Sequence, residues 1–209
     1  MQLSIVTLGD VHAEDLTALT PHFTRLEQLV LDVPPRDALS RHRAELNRAI
    51  DAATADWIFI VREREVIDDA LAKEIAGVMS GVSARGFRIR SVPFYAGKPL
   101  RLTRDDGEVR LFHRRNYMRY ANKGEWDEIA IQGSVVRLGC PLRSVTFASP
   151  AEHREYLAKN AAPHSTLRRV LLFASYLMGV RTLDANTLQY LWIEAGYDVA
   201  AGFSPPSPG

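Results

Sequence analysis

The sequence predicts an α/β fold, with a mostly parallel sheet flanked by helices and a helical extension at the carboxyl end. Three observations lead there. Over residues 3–81, short apolar runs rich in β-branched residues alternate with segments of helical periodicity, the pattern of strand–helix–strand crossovers. From Pro150 onward the period is helical. The chain has 209 residues, 46% hydrophobic and 24% charged, enough apolar material for a buried core.

Each element has its own signal. LSIVTL (3–8) reads as the first strand, ending at Gly9-Asp10, and a helical stretch follows to residue 26. EQLVLDV (27–33) is the second strand, closed by Pro34-Pro35. Asp37 caps a helix whose apolar positions Leu39, Leu46, Ile50 and Ala53 recur at helical spacings. WIFIV (57–61) is the third strand. Asp68 or Asp69 opens the next helix, with Leu71, Ile75 and Val78 on one face. Beyond residue 85, GFRIRSV, EVRLFHR, EIAIQ, SVVRL and SVTF are short strand-like runs of a mixed sheet. AEHREYLAKN, STLRRVLLFASYLMGV and NTLQYLWIEAGYDVA then read as helices. The expected division is a domain over 1–150, a helical extension over 151–203 and a proline-rich disordered tail over 204–209.

Composition narrows the function classes. A net charge of +1 gives no global pull toward nucleic acid, and no nucleic-acid-binding motif is present, so such a partner is not expected. Cys140 is the only cysteine, so no internal disulfide forms and a reducing cytoplasm is the expected compartment. Its expected role is a small buried filler. The amino terminus lacks the basic start and long apolar run of a signal peptide. No apolar stretch reaches the roughly 18–20 residues that span a bilayer. VLLFASYLMGV (170–180), bracketed by Arg168, Arg169 and Arg181, reads as a core helix. The alternative is peripheral contact with the inner face of a membrane through 165–181.

The middle of the chain is locally basic. Arg85, Arg88, Arg90, Lys98, Arg101, Arg104, Arg110, Arg114, Arg115, Arg119 and Lys123 face only Asp105, Asp106 and Glu108. A phosphate-bearing ligand or anionic partner suits that imbalance; arginines on a half-exposed strand pointing to water are the alternative. Ligands of parallel sheets bind beyond the carboxyl ends of the strands. That places Asp10, Asp32 and the charged run Arg62-Glu63-Arg64-Glu65 at the expected ligand edge, although either aspartate could instead cap a helix or turn.

ELNRAIDAATADWIFIVREREVI resembles the central segment of family 2 glycosyltransferases, whose pattern runs A-R-N-x-G/A-I, A-T-G-D-W, an apolar strand and D-x-D-E. Asn47, Ala49, Ile50, Ala53, Thr54, Asp56 and Trp57 stand in matching places. EVRLFHRRNYMRY is similar to the family's R-L-F-R-R segment. GEWDEIAIQGSVVRLGCPL is similar to its V-H-E, V-x-G and L-x-x-P-L stretch. LDANTLQYLWIEAGY resembles the carboxyl-terminal helices of the bacterial lipopolysaccharide-core branch. The likeness runs from about residue 43 to 200.

The resemblance implies a GT-A fold and inverting transfer from a nucleotide-diphosphate sugar to a glycan or lipid-linked acceptor in cell-envelope assembly. In that family the D-x-D aspartates hold a divalent metal against the donor diphosphate, and a carboxylate takes the acceptor proton. A leaving diphosphate needs positive charge, and a hydroxyl nucleophile needs a base. Glu128 matches the base position, with Asp127 where the family has histidine. Asp32 is placed as the family's first aspartate.

The departures fall at the site. Arg62 and Arg64 stand where the aspartates of D-x-D belong, and Glu65 matches the acid that follows. Leu46 replaces an arginine, PPRDALS replaces the nucleoside-seating turn, and Ser144 replaces a later histidine. No metal cofactor is expected. On an extended chain Arg62 and Arg64 share a face and could meet a diphosphate as cations. The alternative is an E-x-E of Glu63 and Glu65 that takes magnesium or manganese. Asn47, Arg114 and Arg115 complete the expected donor-binding set, and His113 could also approach a phosphate or acceptor. Such a chain is either an atypical transferase or an inactive relative that binds a glycan, nucleotide or protein.

Overall fold

The structure, a computed structural model, describes residues 1–9, 11–31, 43–81, 83–100, 107–118, 129–163, 170, 172–174, 176–177, 184–195 and 197–199. It divides into two compact units, residues 1–91 with 106–143 and residues 92–105 with 144–209. The elements in chain order are β1 (Gln2–Leu8), a 3-10 helix (Ala13–His22), β2 (Arg25–Leu31), α1 (Arg43–Ala52), β3 (Trp57–Arg62), β4 (Glu65–Val66) and α2 (Asp69–Gly81). Next come β5 (Gly86–Ile89), β6 (Ser91–Tyr95), β7 (Lys98–Pro99), β8 (Glu108–His113), a 3-10 turn (Arg114–Asn116), β9 (Tyr117–Met118), β10 (Ala130–Ile131), β11 (Val135–Arg137) and β12 (Leu142–Phe147). α3 (Pro150–Asn160), β13 (Ala161–Pro163), α4 (Ala185–Glu194) and β14 (Tyr197–Val199) complete the described chain.

The first unit is a mixed α/β structure around a six-stranded sheet ordered β11-β5-β8-β3-β1-β2. β2, β1, β3, β5 and β11 run in one direction and β8 runs against its neighbours. The three strands expected from the sequence therefore lie side by side and parallel. Both faces of the sheet are covered, which is why β3 is buried from Ile58 to Val61 rather than alternating with polar residues. Leu3, Ile5, Phe59 and Val61 share one core with Leu71, Ala72 and Ile75 of α2. Val6, Leu8, Ile58 and Ile60 share the other with Leu46, Ala49 and Ile50 of α1.

Local chemistry sets the boundaries. Asp68 caps α2, its Oδ1 accepting from Leu71 N at 2.9 Å. The stretch after β1 is a 3-10 helix with Pro21 inside it and not an α-helix; proline brings no N–H to an α-helical ladder. β2 starts at Arg25, two residues before the expected strand. The proposed Asp37 cap and the tail lie outside the described residues.

The second unit has its own core. β6 and β7 form a hairpin, with Ala96 (φ 49°) and Gly97 (φ 75°) at its turn, the paired positive values of a tight hairpin connection. Asp184 caps α4 by accepting from Thr187 N at 2.9 Å and Thr187 Oγ1 at 2.8 Å. At the centre His153 lies between the rings of Phe147 (4.2 Å) and Tyr190 (5.1 Å). Its Nε2 meets Glu194 Oε1 at 2.9 Å and its Nδ1 faces Tyr95 Oη at 3.4 Å. Two features depart from the sequence reading. β7 and most of β6 and β12 belong to this unit although they precede residue 150. Tyr197–Val199 pairs with β13 as a strand where a helix was expected. Residues 170, 172–174 and 176–177 are helical, and the rest of 165–181 lies outside the described residues. Among the described residues no helix is long and apolar enough to cross a membrane.

Candidate functional site

β1, β2 and β3 end together at the carboxyl edge of the first unit's sheet. Gly9 N donates to Leu31 O at 3.1 Å and Glu63 N to Leu8 O at 2.8 Å, carrying the parallel pairing to the last residue of each strand. The chain then turns. Glu63 and Arg64 form the turn, with Arg64 at φ +63°, and the strand resumes at Glu65. The extended backbone assumed for 62–65 is therefore absent. Residues two apart no longer share a face, neither Arg62 with Arg64 nor Glu63 with Glu65.

The turn points Glu65 inward. Its Oε2 accepts from Arg62 N at 2.8 Å, and its Oε1 accepts from Arg110 Nη2 at 3.1 Å. The side chains of Arg110 and Glu65 are only 2% and 3% exposed. Arg110 Nε lies 3.1 Å from Glu108 Oε2, and Glu108 in turn receives Arg62 Nη2 at 2.9 Å. Two arginines and two glutamates thus form one network, Arg62–Glu108–Arg110–Glu65. Its inner pair is shut from water. Its outer pair is not: Arg62 is 30% and Glu108 49% exposed.

A bulge brings Arg110 there. β5 pairs Phe87 with Leu111 and Arg88 with Val109, so Arg110 is skipped in the ladder. An extra residue of this kind re-aims its side chain. Arg110 thereby sits between two buried apolar neighbours, Val109 and Leu111, and is itself buried. Neither Arg110 nor Glu108 was singled out from the sequence; both stood there only as members of a basic segment. The available signal was V-R-L in a strand apolar at every other central position.

The divalent cation implied by the resemblance does not fit these residues. By the resemblance Arg62 and Arg64 stand at the aspartate positions, and Glu65 is committed to a buried guanidinium and a backbone N–H. Taking Glu65 as a metal ligand would strip Arg110 of its buried counter-charge. Among the described residues no three of histidine, cysteine, aspartate and glutamate cluster to hold an ion.

The other expected site residues are dispersed. Asn47, on α1, accepts from Tyr117 Oη at 2.5 Å, and the Tyr117 ring stacks on Phe112 at 5.5 Å. Arg114 and Arg115 follow β8, at the amino edge: Trp57, which opens β3, pairs with His113. The length of β3 separates that edge from Arg62, about 17 Å at the usual strand rise. Arg88 donates to Gly107 O at 3.0 Å. The basic segment therefore does not form one patch. Asp10, Asp32, Asp127 and Glu128 lie outside the described residues.

No protein-family model matches the chain, and no curated protein matches it. Among solved structures the chain is similar to S. aureus TarS 1-349, with 9% identity and a TM-score of 0.40 over 93% of this chain and 71% of that one. A likeness that loose carries no argument about the site.

Proposed function

We propose that the chain is a glycosyltransferase-like protein that meets a nucleotide-diphosphate sugar at the carboxyl edge of its sheet through arginine instead of a metal ion. The class rests on the ordered motif resemblance and on the parallel sheet that accompanies it. The departure rests on one observation, the Arg62–Glu108–Arg110–Glu65 network standing where the family places D-x-D.

The two halves of the network play different parts. Arg110–Glu65 is buried, and breaking it would strand a charge, so it stays closed and fixes the turn. Arg62–Glu108 is half in water, where such pairs contribute only about 0–1 kcal/mol. A phosphate can displace Glu108 at little cost, because a guanidinium grips phosphate bidentately. Arg64 stands beside it on the exposed side of the turn. The acceptor is a cell-envelope glycan or lipid-linked sugar met at the cytoplasmic face of the membrane, and Glu128, flanked by Asp127, acts as its base. Transfer with inversion follows from a direct attack by the activated hydroxyl.

A second reading keeps the binding and drops the turnover. The observation favouring it is Glu65: the acidic residue retained from the family motif is used up by Arg110. Thermal shift with a panel of nucleotide sugars, with and without manganese, followed by transfer and donor-hydrolysis assays, separates the two. Turnover that falls about 100-fold in Glu128→Gln supports the transferase. Stabilisation without turnover across the panel supports the binding protein, and no stabilisation by any nucleotide sugar contradicts both.

A further inference from the structure

We propose that the amino edge of the same sheet carries a separate phosphate-binding site, formed by Arg85, Arg115 and the ring of His113. Three adjacent strands build it. Arg85 directly precedes β5, His113 closes β8 and Asp56 directly precedes β3, and those strands are neighbours in the order β5-β8-β3. His113 N donates to Arg85 O at 2.9 Å, so the two residues are fixed side by side. Neighbouring strands lie about 4.8 Å apart, which brings all three backbones within reach of one small anion.

The charges facing His113 are Arg85, Arg114, Arg115 and Asp56. Arg114 is already engaged: its guanidinium donates to Ala53 O, just past the end of α1, where a cation suits the helix dipole. Asp56 answers Arg115 weakly. Their closest atoms are 3.9 Å apart with the side chains 80% and 56% exposed, a pair that water and salt screen. Arg85 is exposed yet positioned, since its stem lies against Gly133. A Cβ on that glycine would come 3.1 Å from Arg85 Cγ, and its φ of +117° disfavours any other residue. The His113 ring stands edge-on to Trp57 at 5.4 Å, and its buried Nδ1 has no hydrogen-bond partner among the described residues.

The result is a surplus of donors around one half-buried imidazole. Two exposed guanidinium groups supply bidentate donors, and His113 adds a third on protonation. Burial, and then the three arginines, hold the imidazole below its ordinary value despite Asp56. A bound dianion offsets those cations and draws the value back up. By linkage, an anion of constant charge then binds more tightly as pH falls through the His113 titration. The ligand class is a phosphate group, either free or at the head of a lipid.

The test uses the full chain with histidine signals followed by NMR during titration with inorganic phosphate, and with sulfate for the pH series because its charge is constant. Saturable binding is expected, with the His113 pKa raised in the bound state. Arg85→Ala with Arg115→Ala should weaken binding at least about tenfold, and Arg62→Ala should leave it unchanged. That last arm keeps this site distinguishable from the carboxyl-edge site. If His113 does not respond, or the double variant binds as the wild type does, the site is refuted. Arg85→Lys with Arg115→Lys should recover part of the affinity, which a merely misfolded variant would not. Sedimentation with phosphatidic acid vesicles against phosphatidylcholine vesicles identifies the source. Retention that the double variant loses marks a lipid headgroup, and no retention beside saturable phosphate binding marks a free phosphate.

Discussion

Each unit buries a basic side chain against a glutamate, and the two pairs differ in kind. Arg110 meets Glu65 at 3.1 Å in the first unit, and His153 meets Glu194 at 2.9 Å in the second. A guanidinium keeps its charge at any pH a protein survives, so Glu65 faces a permanent cation. An imidazole has a neutral form, which can donate to Glu194 while accepting from Tyr95 Oη. The surroundings differ as well. Arg110 stands on a bulge at a sheet edge, linked through Glu108 to a solvent-facing arginine, whereas His153 is stacked between two aromatic rings. The first arrangement keeps fixed positive charge at the carboxyl edge of the sheet. The second packs a polar ring into a core.

The contrast breaks most readily at Glu65. Replacing it with alanine removes the buried carboxylate and leaves Arg110 only the half-exposed Glu108 as counter-charge, which should cost about 3–5 kcal/mol in chemical denaturation. Exchanging both members, Glu65→Leu with Arg110→Met, should be close to neutral or stabilising. A loss under about 1 kcal/mol in Glu65→Ala would show that the pair is not the closed device described.

His153→Phe should cost less. It keeps the aromatic stack but removes the partner of Glu194, a loss of about 1–3 kcal/mol read from unfolding of the second unit. An effect larger than that of Glu65→Ala would overturn the distinction between fixed charge and core packing.

Glu27 is a carboxylate served mainly by neutral donors. Glu27 Oε2 accepts from Ser4 Oγ at 2.5 Å, Thr54 N at 2.8 Å and Thr54 Oγ1 at 3.0 Å. Burial pushes the Glu27 carboxyl up, but these donors, with Arg25, more than offset it and leave it below the ordinary value. A lowered value means that the stabilisation is complete above the unfolded carboxyl's titration and is lost as pH falls through the folded one. Glu27→Gln should therefore cost about 1 kcal/mol near neutral pH and flatten the acid side of the stability profile. An unchanged acid slope would contradict that role.

The smallest effect on stability is expected at Arg64. Its φ of +63° is a conformation that costs a side-chain-bearing residue roughly 1–2 kcal/mol. Arg64→Gly should leave denaturation unchanged or raise stability by about 1 kcal/mol, while weakening diphosphate binding. Lower stability in this variant would show that the guanidinium holds the turn.

Much of the fold was legible because its signals are local. WIFIV is apolar on both faces and LSIVTL nearly so, and Leu71 and Ile75 repeat at helical spacing, so β1, β3 and α2 follow from pattern alone. The edge of the sheet was not legible. Nothing in REREV announces that the chain turns at Glu63-Arg64, because the turn is closed by Glu65 on Arg62 N and by Arg110, 45 positions away. Arg110 escaped notice for a related reason: a bulge breaks the two-residue alternation by which strand faces are read. The make-up of the second unit was not legible, because β6 and β7 join β12 and α3 across a long gap in sequence, a partnership that periodicity cannot express.

The proposed contact between Arg62 and a diphosphate at the carboxyl edge is open to direct measurement. Calorimetry of uridine and guanosine diphosphates, titrated into the wild type with a chelator or with manganese and into Arg62→Ala, measures it. The same dissociation constant is expected with chelator and with manganese, and a value about ten- to a hundredfold weaker in Arg62→Ala. Binding that requires manganese, binding that Arg62→Ala leaves unchanged, or no binding of either nucleotide would contradict that contact.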